Sequence, residues 1–315
     1  MRDGDQLIGW GMATGVWEAM QMPAAAKACL EPGGRLVVSS ATSDIGTGTY
    51  TVMTQIAAAA MGLPMEQVEF RLGDSSLPQA PLEGGSFTVS SVGTAVQQAC
   101  EALQEKLLDA AQQSPVSPFT GAKLEDVEFL GGQMRLKASP EHEVGLAQIL
   151  GASGSIEAEV SAKPDEKRNA YSTATHSAIF VEVRVDESLG TVKVSRVVSA
   201  VAAGRVVNPK TAGSQISGGV VWGIGQALHE ETMIDHNLGR YMNHNLSEYH
   251  VPINADINDI DVFFVEEKDE IVNALGSKGV GEIGIVGVAA AVGNAIYHAT
   301  GKRVRDLPIT LDKVL

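Results

Sequence analysis

The chain reads as an α+β fold, mixed β-sheets with helices, made of two related units. Three observations predict it. Short alternating runs of β-branched residues mark strands, a glycine-bearing loop leads into a helix four times, and 315 residues suffice for two compact units. A chain of this length buries most of the surface that its unfolded form exposes and needs no disulfide staples.

In the first half, residues 35–40 alternate as a strand after the turn at Pro32-Gly33-Gly34. Asp44-Ile45-Gly46-Thr47-Gly48 follows, and 52–61 is an alanine-rich helix. A second strand at 68–72 and a polar loop lead to Gly84-Gly85-Ser86-Phe87-Thr88. The helix over 92–111 then sets Val96, Cys100, Leu103, Leu107 and Ala110 on one face. Residues 112–169 read as a peripheral insertion: a loop at 114–118, a hairpin over 127–136 turning at Gly131-Gly132, a short helix at 143–150 and a solvated link at 163–168.

The second half opens with strands at 178–185 and 191–199, joined as a hairpin by the turn at 186–190. After Gly204-Arg-Val-Val-Asn-Pro209, a helix from near Thr211 carries Gly218, Gly219, Gly223 and Gly225. Glycine costs a helix interior about 1 kcal/mol relative to alanine, so four of them predict close approach of another backbone or a bulky ligand. The last unit runs from Gly276 through Lys278-Gly279-Val280-Gly281-Glu282 into a helix over 285–300, and a strand at 307–311 closes the chain. The boundary between the units is expected at 170. Trp10, Trp17 and Trp222 are expected in the core.

Charge and cysteine content exclude several classes. The balance of 23 basic and 38 acidic residues, a net of −15, argues against a nucleic-acid duplex or an anionic membrane as the main partner. Cys29 and Cys100 are too few for an iron–sulfur cluster, which normally takes four thiolates, so such a relay would sit on another chain. The N-terminus lacks the basic and apolar regions of a signal peptide, and the longest apolar run, 283–291, holds two glycines and suits a buried helix. A soluble, cytoplasmic protein is expected, with export alongside a partner as the alternative.

A helix N-terminus offers unpaired N–H groups and the positive end of the backbone dipole, and glycines before it let an anion reach the main chain. Four such starts predict a large anionic ligand held by backbone donors. Gly279-Val-Gly281-Glu-Ile-Gly284 satisfies the dinucleotide fingerprint, but 273–278 is a poor strand and Glu282 would set a carboxylate where the pyrophosphate belongs. Glu282, an acid in a first helical turn, is by itself an ordinary stabilising feature. Between Gly281 and Ile283 it also suits a base aimed into a closed pocket. His236, His244 and His250 lack zinc-site spacing and read as loop residues, and Ser86, Ser90 and Ser91 lack a hydrolase context.

Taken in order, Asp44-Ile-Gly-Thr-Gly, Gly84-Gly-Ser-Phe-Thr, Gly204-Arg-Val-Val-Asn-Pro, the glycine-rich run from Gln215 to Glu230 and Lys278-Gly-Val-Gly-Glu-Ile-Gly resemble the molybdenum-cofactor-binding subunit of the xanthine dehydrogenase and aldehyde oxidase family. The resemblance runs from about Gly9 to the C-terminus. It implies a molybdopterin cofactor, in bacteria usually its cytosine dinucleotide form, carrying molybdenum held by its own dithiolene with no protein ligand. By motif, Ile45, Gly46, Thr47 and Gly48 would contact the pterin or its extension. Gly85, Ser86, Phe87 and Thr88 would line the phosphates and pterin, Gln215 would bond near the dithiolene, and Lys278, Gly279, Val280 and Gly281 would complete the cradle. Glu282 would be the catalytic base that takes the proton of the metal's hydroxo group. Thr47 stands where purine-oxidising members carry glutamine, which points to the aldehyde branch. The resemblance further implies oxidation of an aldehyde or N-heterocycle with oxygen from water. Its partners would be an iron–sulfur subunit, an FAD subunit and a chain or segment carrying a first cofactor lobe. Without that lobe the chain would be a split subunit or a fragment.

Overall fold

The computed structural model describes residues 1–113, 116–151 and 154–315. Strands β1 (Arg2–Asp3), β2 (Gln6–Glu18), β3 (Ala24–Leu30) and β4 (Leu36–Ser39) open the chain, and helix α1 (Thr49–Met61) connects to β5 (Val68–Arg71). Helix α2 (Thr94–Gln112) precedes β6 (Val127–Leu130), β7 (Gln133–Leu136), β8 (Ser139–Gly145), α3 (Leu146–Leu150) and β9 (Ile156–Ala162). Then come β10 (Ala174–Asp186), β11 (Val192–Ala202), α4 (Pro209–Leu228), β12 (Ile234–Asp235), β13 (Arg240–Tyr241) and β14 (Asp259–Phe264). Helices α5 (Val288–Thr300) and α6 (Leu311–Val314) end the chain.

Two compact units result, with a division between Thr173 and Ala174 and two short segments exchanged across it. The first comprises Met1–Ala19, Ala174–Glu267 and Gly279–Leu315; the second comprises Met20–Thr173 and Lys268–Lys278. The N-terminal residues belong with the second half because β2 pairs antiparallel with β10 along its whole length, from Ala174 opposite Glu18 to Asp186 opposite Gln6.

In the first unit the sheet order is β1-β2-β10-β11-β14. Its inner face is written by alternation: Ile179, Val181, Val183 and Val185 of β10 are buried, as are Val288, Ala291, Val292, Ala295 and Ile296 of α5 in the same cluster. Burial of each large apolar side chain is worth roughly 1.5–3 kcal/mol. On β2 the inward positions are small. A Cβ on Gly9 or Gly11 would lie 2.0 or 2.2 Å from carbonyl oxygens of α5, so the helix backbone lies directly on the strand. The same alternation turns Trp10 outward, and it is exposed (57%). Trp222 is exposed too (70%), because the buried stripe of α4 is Ile216, Val220, Gly223 and Ala227. Neither is the core residue expected, whereas Trp17 is partly buried against Ile283 and Val201.

In the second unit the sheet order is β5-β4-β3-β9, with β4 and β5 parallel across α1. Val96, Cys100, Leu103 and Leu107 of α2 are fully buried, and burial pushes the Cys100 thiol up to about 12. The peripheral reading of 112–169 needs correction at its end, because β9 pairs with β3 over Ile156–Ala162 and is part of the main sheet. The hairpin of β6 and β7 turns at Gly131-Gly132 as expected. Residues 143–145 end β8 instead of opening a helix. The loop at 114–118 begins on two residues outside those described. In the first unit, residues 307–311 form no strand: a cis Leu307–Pro308 bond precedes α6. Glu282–Thr300 has the length and hydropathy of a membrane span, yet here it is a 3₁₀ turn followed by the core helix α5.

Candidate active site

The site residues of the second unit sit on two loops joined by one carboxylate. Glu83 accepts hydrogen bonds at Oε1 from the Thr42 hydroxyl and the Ser43 amide, both at 3.0 Å, and its own backbone runs into Gly84-Gly85. Its Oε2 is buried without a partner. In the Gly84–Thr88 loop, Gly85 (φ 62°) and Ser86 (φ 61°) adopt left-handed conformations in succession. The strain at a non-glycine residue held at positive φ is the kind found at ligand sites. Phe87 is buried below the loop, and Thr88 opens a π-turn into α2 without a side-chain cap. Ser90 and Ser91 are structural: the Ser90 hydroxyl donates to the Met20 and Phe87 carbonyls, and the Ser91 hydroxyl accepts from the Met22 amide.

The other loop answers differently to expectation. Asp44 accepts from the amides of Gly46 (2.9 Å), Gly48 (3.2 Å) and Tyr50 (3.3 Å). Burial raises its pKa, but these amides outweigh it and hold the carboxyl below the usual carboxylate range. In this loop, expected to contact the pterin or its extension, the Gly46 and Gly48 amides are therefore spent on a side chain of the chain itself. Ile45 is exposed (71%), and a Cβ on Gly46 would meet nothing within 4 Å. The start of α4 is closed in the same way: the Asn208 side chain accepts from Lys210 and Thr211 amides at 3.1 Å. Two of the four glycine-preceded helix starts are thus capped internally.

In the first unit the catalytic candidate lies on a clamped turn. Gly281, with φ 155° and ψ −93°, takes a conformation that other residues rarely adopt, and Glu282–Gly284 form a 3₁₀ turn. The Gly279 carbonyl accepts from the buried Thr175 hydroxyl of β10 at 2.9 Å. Helix α4 presses on the other side: a Cβ on Gly219 would lie 2.6 Å from the Gly284 carbonyl carbon, and one on Gly284 would lie 2.9 Å from the Ile216 carbonyl oxygen. Gln215, next to Ile216, is brought beside the Glu282 turn by this contact. Both Gln215 and Glu282 are half-buried, as is Val280.

Three of the five α4 glycines are explained by packing within the unit. Gly219 meets the Gly284 backbone, Gly223 meets Val288, and Gly225 meets Glu230 and Pro252. Gly213 and Gly218 face open space. The helix after Gly284 begins at Val288, so the G-x-G-x-x-G run lacks the strand–loop–helix setting of a dinucleotide fingerprint. Lys278, in the second unit, forms a buried ion pair with Asp269 at 3.2 Å. Burial raises the Asp269 pKa, and the Ile271 and Val272 amides and the Lys278 ammonium overcome it, with a net lowering. His236, His244 and His250 are exposed. Among the described residues no group of three or more His, Cys, Asp or Glu is placed to hold a metal.

Asp44, Glu83, Thr175, Asn208 and Asp269 were not anticipated. Asn208 before Pro209 was readable, since an N-cap residue followed by proline is a helix-start signal. The bonds of Glu83 and Thr175 join sequence-distant segments and leave no local trace, whereas Asp269 caps the turn just after it through the Ile271 and Val272 amides.

The chain matches, over residues 1–258, the family described as molybdopterin cofactor-binding domain. It is 40% identical to the aldehyde oxidoreductase molybdenum-binding subunit PaoC of Escherichia coli O157:H7, over 100% of this chain and 41% of that protein. Identity is 28% with the putative xanthine dehydrogenase molybdenum-binding subunit XdhA of Escherichia coli K12, over 98% and 41%. The chain thus spans about two-fifths of these curated relatives. The fold is that of part of quinoline 2-oxidoreductase from Pseudomonas putida 86, with a TM-score of 0.88 at 22% identity over 98% of this chain and 42% of that one. The chain belongs to the molybdopterin cofactor-binding domain family, to which the molybdenum-binding subunits of aldehyde oxidoreductases and xanthine dehydrogenases are related.

Proposed function

We propose that this chain is the second cofactor-binding lobe of a molybdenum hydroxylase that oxidises an aldehyde, with an N-heterocycle as the alternative substrate class. The observation that carries the reading is the clamp on Glu282. A half-buried carboxylate is held by a glycine in a conformation other residues rarely adopt, a hydroxyl–carbonyl bond and a backbone-to-backbone contact with the helix bearing Gln215. A base needs such fixed placement to act within hydrogen-bond reach of the proton it removes. Higher identity to an aldehyde oxidoreductase subunit than to a xanthine dehydrogenase subunit, with Thr47 in the first loop, favours the aldehyde branch.

The donor set fits a molybdopterin with a nucleotide extension, which we take to be the cytosine dinucleotide form. The positive-φ turn at Gly85 and Ser86, with the hydroxyls of Ser86 and Thr88, suits a phosphate. The Asp44 carboxylate makes the Ile45–Gly48 loop a poor phosphate site, so we assign that loop to the uncharged part of the ligand, with Ile45 excluding water from it. Lys278, Gly279, Val280 and Gly281 position the turn more than they donate to the ligand. When bound, the cofactor supplies a molybdenum centre that accepts the two electrons released as the substrate carbon is oxidised. Glu282 takes one proton at a carboxylate oxygen, and the Gln215 amide orients its surroundings. Iron–sulfur and FAD subunits and a first cofactor lobe complete this reading as partners.

Metal and nucleotide analysis of the enzyme assembled in its own cells tests it. About one molybdenum and one cytosine nucleotide per chain are expected. Glu282→Gln should keep both and lose aldehyde turnover by roughly 10²–10⁴-fold. An assembled enzyme with neither molybdenum nor cytosine nucleotide would favour a non-catalytic scaffold.

A further inference from the structure

The outer face of the first unit's sheet is apolar and uncovered. Trp10, Met12 and Val16 of β2, Phe180 of β10, Phe263 of β14 and the adjoining Val265 each keep 47–57% of their surface exposed. The register makes them contiguous: Met12 lies opposite Phe180, Phe180 opposite Val198, and Ala178 opposite Ala200, which pairs with Phe263. Val265 extends the row through its amide bond to the Val201 carbonyl. Together they present on the order of 600 Å² of apolar side chain, at the top of the ~300–600 Å² found for the largest patch on a monomer. A groove of about 410 Å³ opens between Trp10, Met12, Phe180 and Val198.

A charged edge bounds the patch on one side. Trp10 Nε1 donates to Glu182 at 2.8 Å, and Arg196 is shared between Asp261 at 2.7 Å and Asp259 at 3.7 Å. The edge therefore carries more acid than base. A second copy would bring an equal acidic edge and another net charge of −15 against it. An apolar centre without a buried charge has the composition of an obligate interface, which resembles a domain core cut in half. The relatives carry about three-fifths of their length outside the matched region.

We propose that this face is the seat of the part of the molybdenum-binding subunit that the chain does not span, packed through an apolar centre with basic residues toward Asp259 and Asp261. The inference rests on reading the chain as part of such a subunit, and its test does not depend on bound molybdenum. Hydroxyl-radical footprinting would compare the 315-residue chain with the enzyme assembled in its own cells, at matched radical dose. Trp10, Met12 and Phe180 should be oxidised roughly tenfold more slowly in the assembled enzyme, as for side chains taken into an interface core. Equal oxidation in both overturns the proposal. Slow oxidation in the chain alone that rises on dilution also overturns it, in favour of a second copy. The double variant Met12→Lys, Phe180→Lys should keep the circular dichroism melt of the chain yet abolish recovery of the assembled enzyme, and unchanged recovery overturns the proposal. Exposure of the face in a molybdenum-loaded enzyme sinks this inference alone. Protection in an enzyme without molybdenum sinks the functional reading alone.

Discussion

The contact between α4 and the Glu282 turn allows a prediction in which stability and activity separate. In Gly219→Ala the added Cβ would stand 2.6 Å from the Gly284 carbonyl carbon, 2.7 Å from its Cα and 2.8 Å from the Ile285 nitrogen. Carbon contacts settle at about 3.5–4.0 Å, and every opposing atom is backbone, so the two segments must part by about 1 Å. Alanine gains about 1 kcal/mol of helix propensity over glycine, and overpacking costs about 1–3 kcal/mol. The net loss is about 0–2 kcal/mol, a shift of a few degrees in Tm. The turn moves as a unit, because the Gly284 amide bonds the Gly281 carbonyl at 2.9 Å and the Ile285 amide bonds the Glu282 carbonyl at 3.1 Å. A displacement of that size at a catalytic group costs on the order of 10²-fold in rate. Gly218→Ala is the control, since its Cβ would meet nothing within 4 Å. It should raise stability by up to about 1 kcal/mol and leave kcat unchanged. Thermal melts and aldehyde turnover of the assembled enzyme read both quantities. Wild-type turnover in Gly219→Ala, or equal impairment in Gly218→Ala, refutes the reasoning.

Removing the Asp44 carboxylate by Asp44→Ala uncaps the first loop and should cost about 0.5–2 kcal/mol in a denaturant titration. Because the folded pKa of Asp44 lies below its unfolded value, its contribution is present above about pH 4 and is lost as pH falls through the folded value. Asp44→Asn should therefore show a flatter acid limb when melts are followed down to about pH 3. Lys278→Met strands the buried Asp269 carboxylate and should destabilise by about 3 kcal/mol, the low end for a broken buried pair since Asp269 keeps some exposure. Asp269→Asn, Lys278→Met together should recover part of that loss in a double-mutant cycle. Glu83→Ala frees Thr42 and Ser43 and should lower the molybdenum content of the purified enzyme more than it lowers the melting temperature.

Local patterns were legible where periodicity is strong. The hairpin of β10 and β11, the helix α1 and the buried stripe of α2 follow from alternation and from spacings of three and four. The misses have physical causes. Strand β2 is hidden because Gly9, Gly11 and Gly15 stand where a strand normally shows inward β-branched residues; Gly9 and Gly11 admit α5, and Gly15 admits Ser177 and the Val286 carbonyl. Residue type alone places Trp10 in the core, but the glycine positions of β2 take the inward side. Strand β9 was legible, since Ile156, Ala158, Val160 and Ala162 alternate with Glu157, Glu159 and Ser161; only its partner, β3, is a long-range term that no local window contains.

The same distinction governs the site. Glycine before a helix predicts open N–H donors, and at Gly85 and Gly281 it permits positive-φ backbone. At the Asp44 and Asn208 starts the donors are consumed by the chain's own side chains, so glycine there serves the turn and not a ligand. A chain with net charge −15 gains from this arrangement. Carboxylates close to a phosphate-bearing ligand would repel it, and tying Asp44 and Glu83 to amides and a hydroxyl offsets part of their field. We assign the anionic part of the ligand to the Gly85–Ser86 loop, where a non-glycine residue, Ser86, is held at positive φ. Asp44→Ala and Glu83→Ala should accordingly differ: loss of Asp44 bares amides that compete for phosphate, whereas loss of Glu83 loosens the loop that holds it. Binding of inorganic phosphate to the purified chain should strengthen in the first variant and weaken in the second. The opposite order would refute the assignment of the phosphate site to Gly85–Thr88.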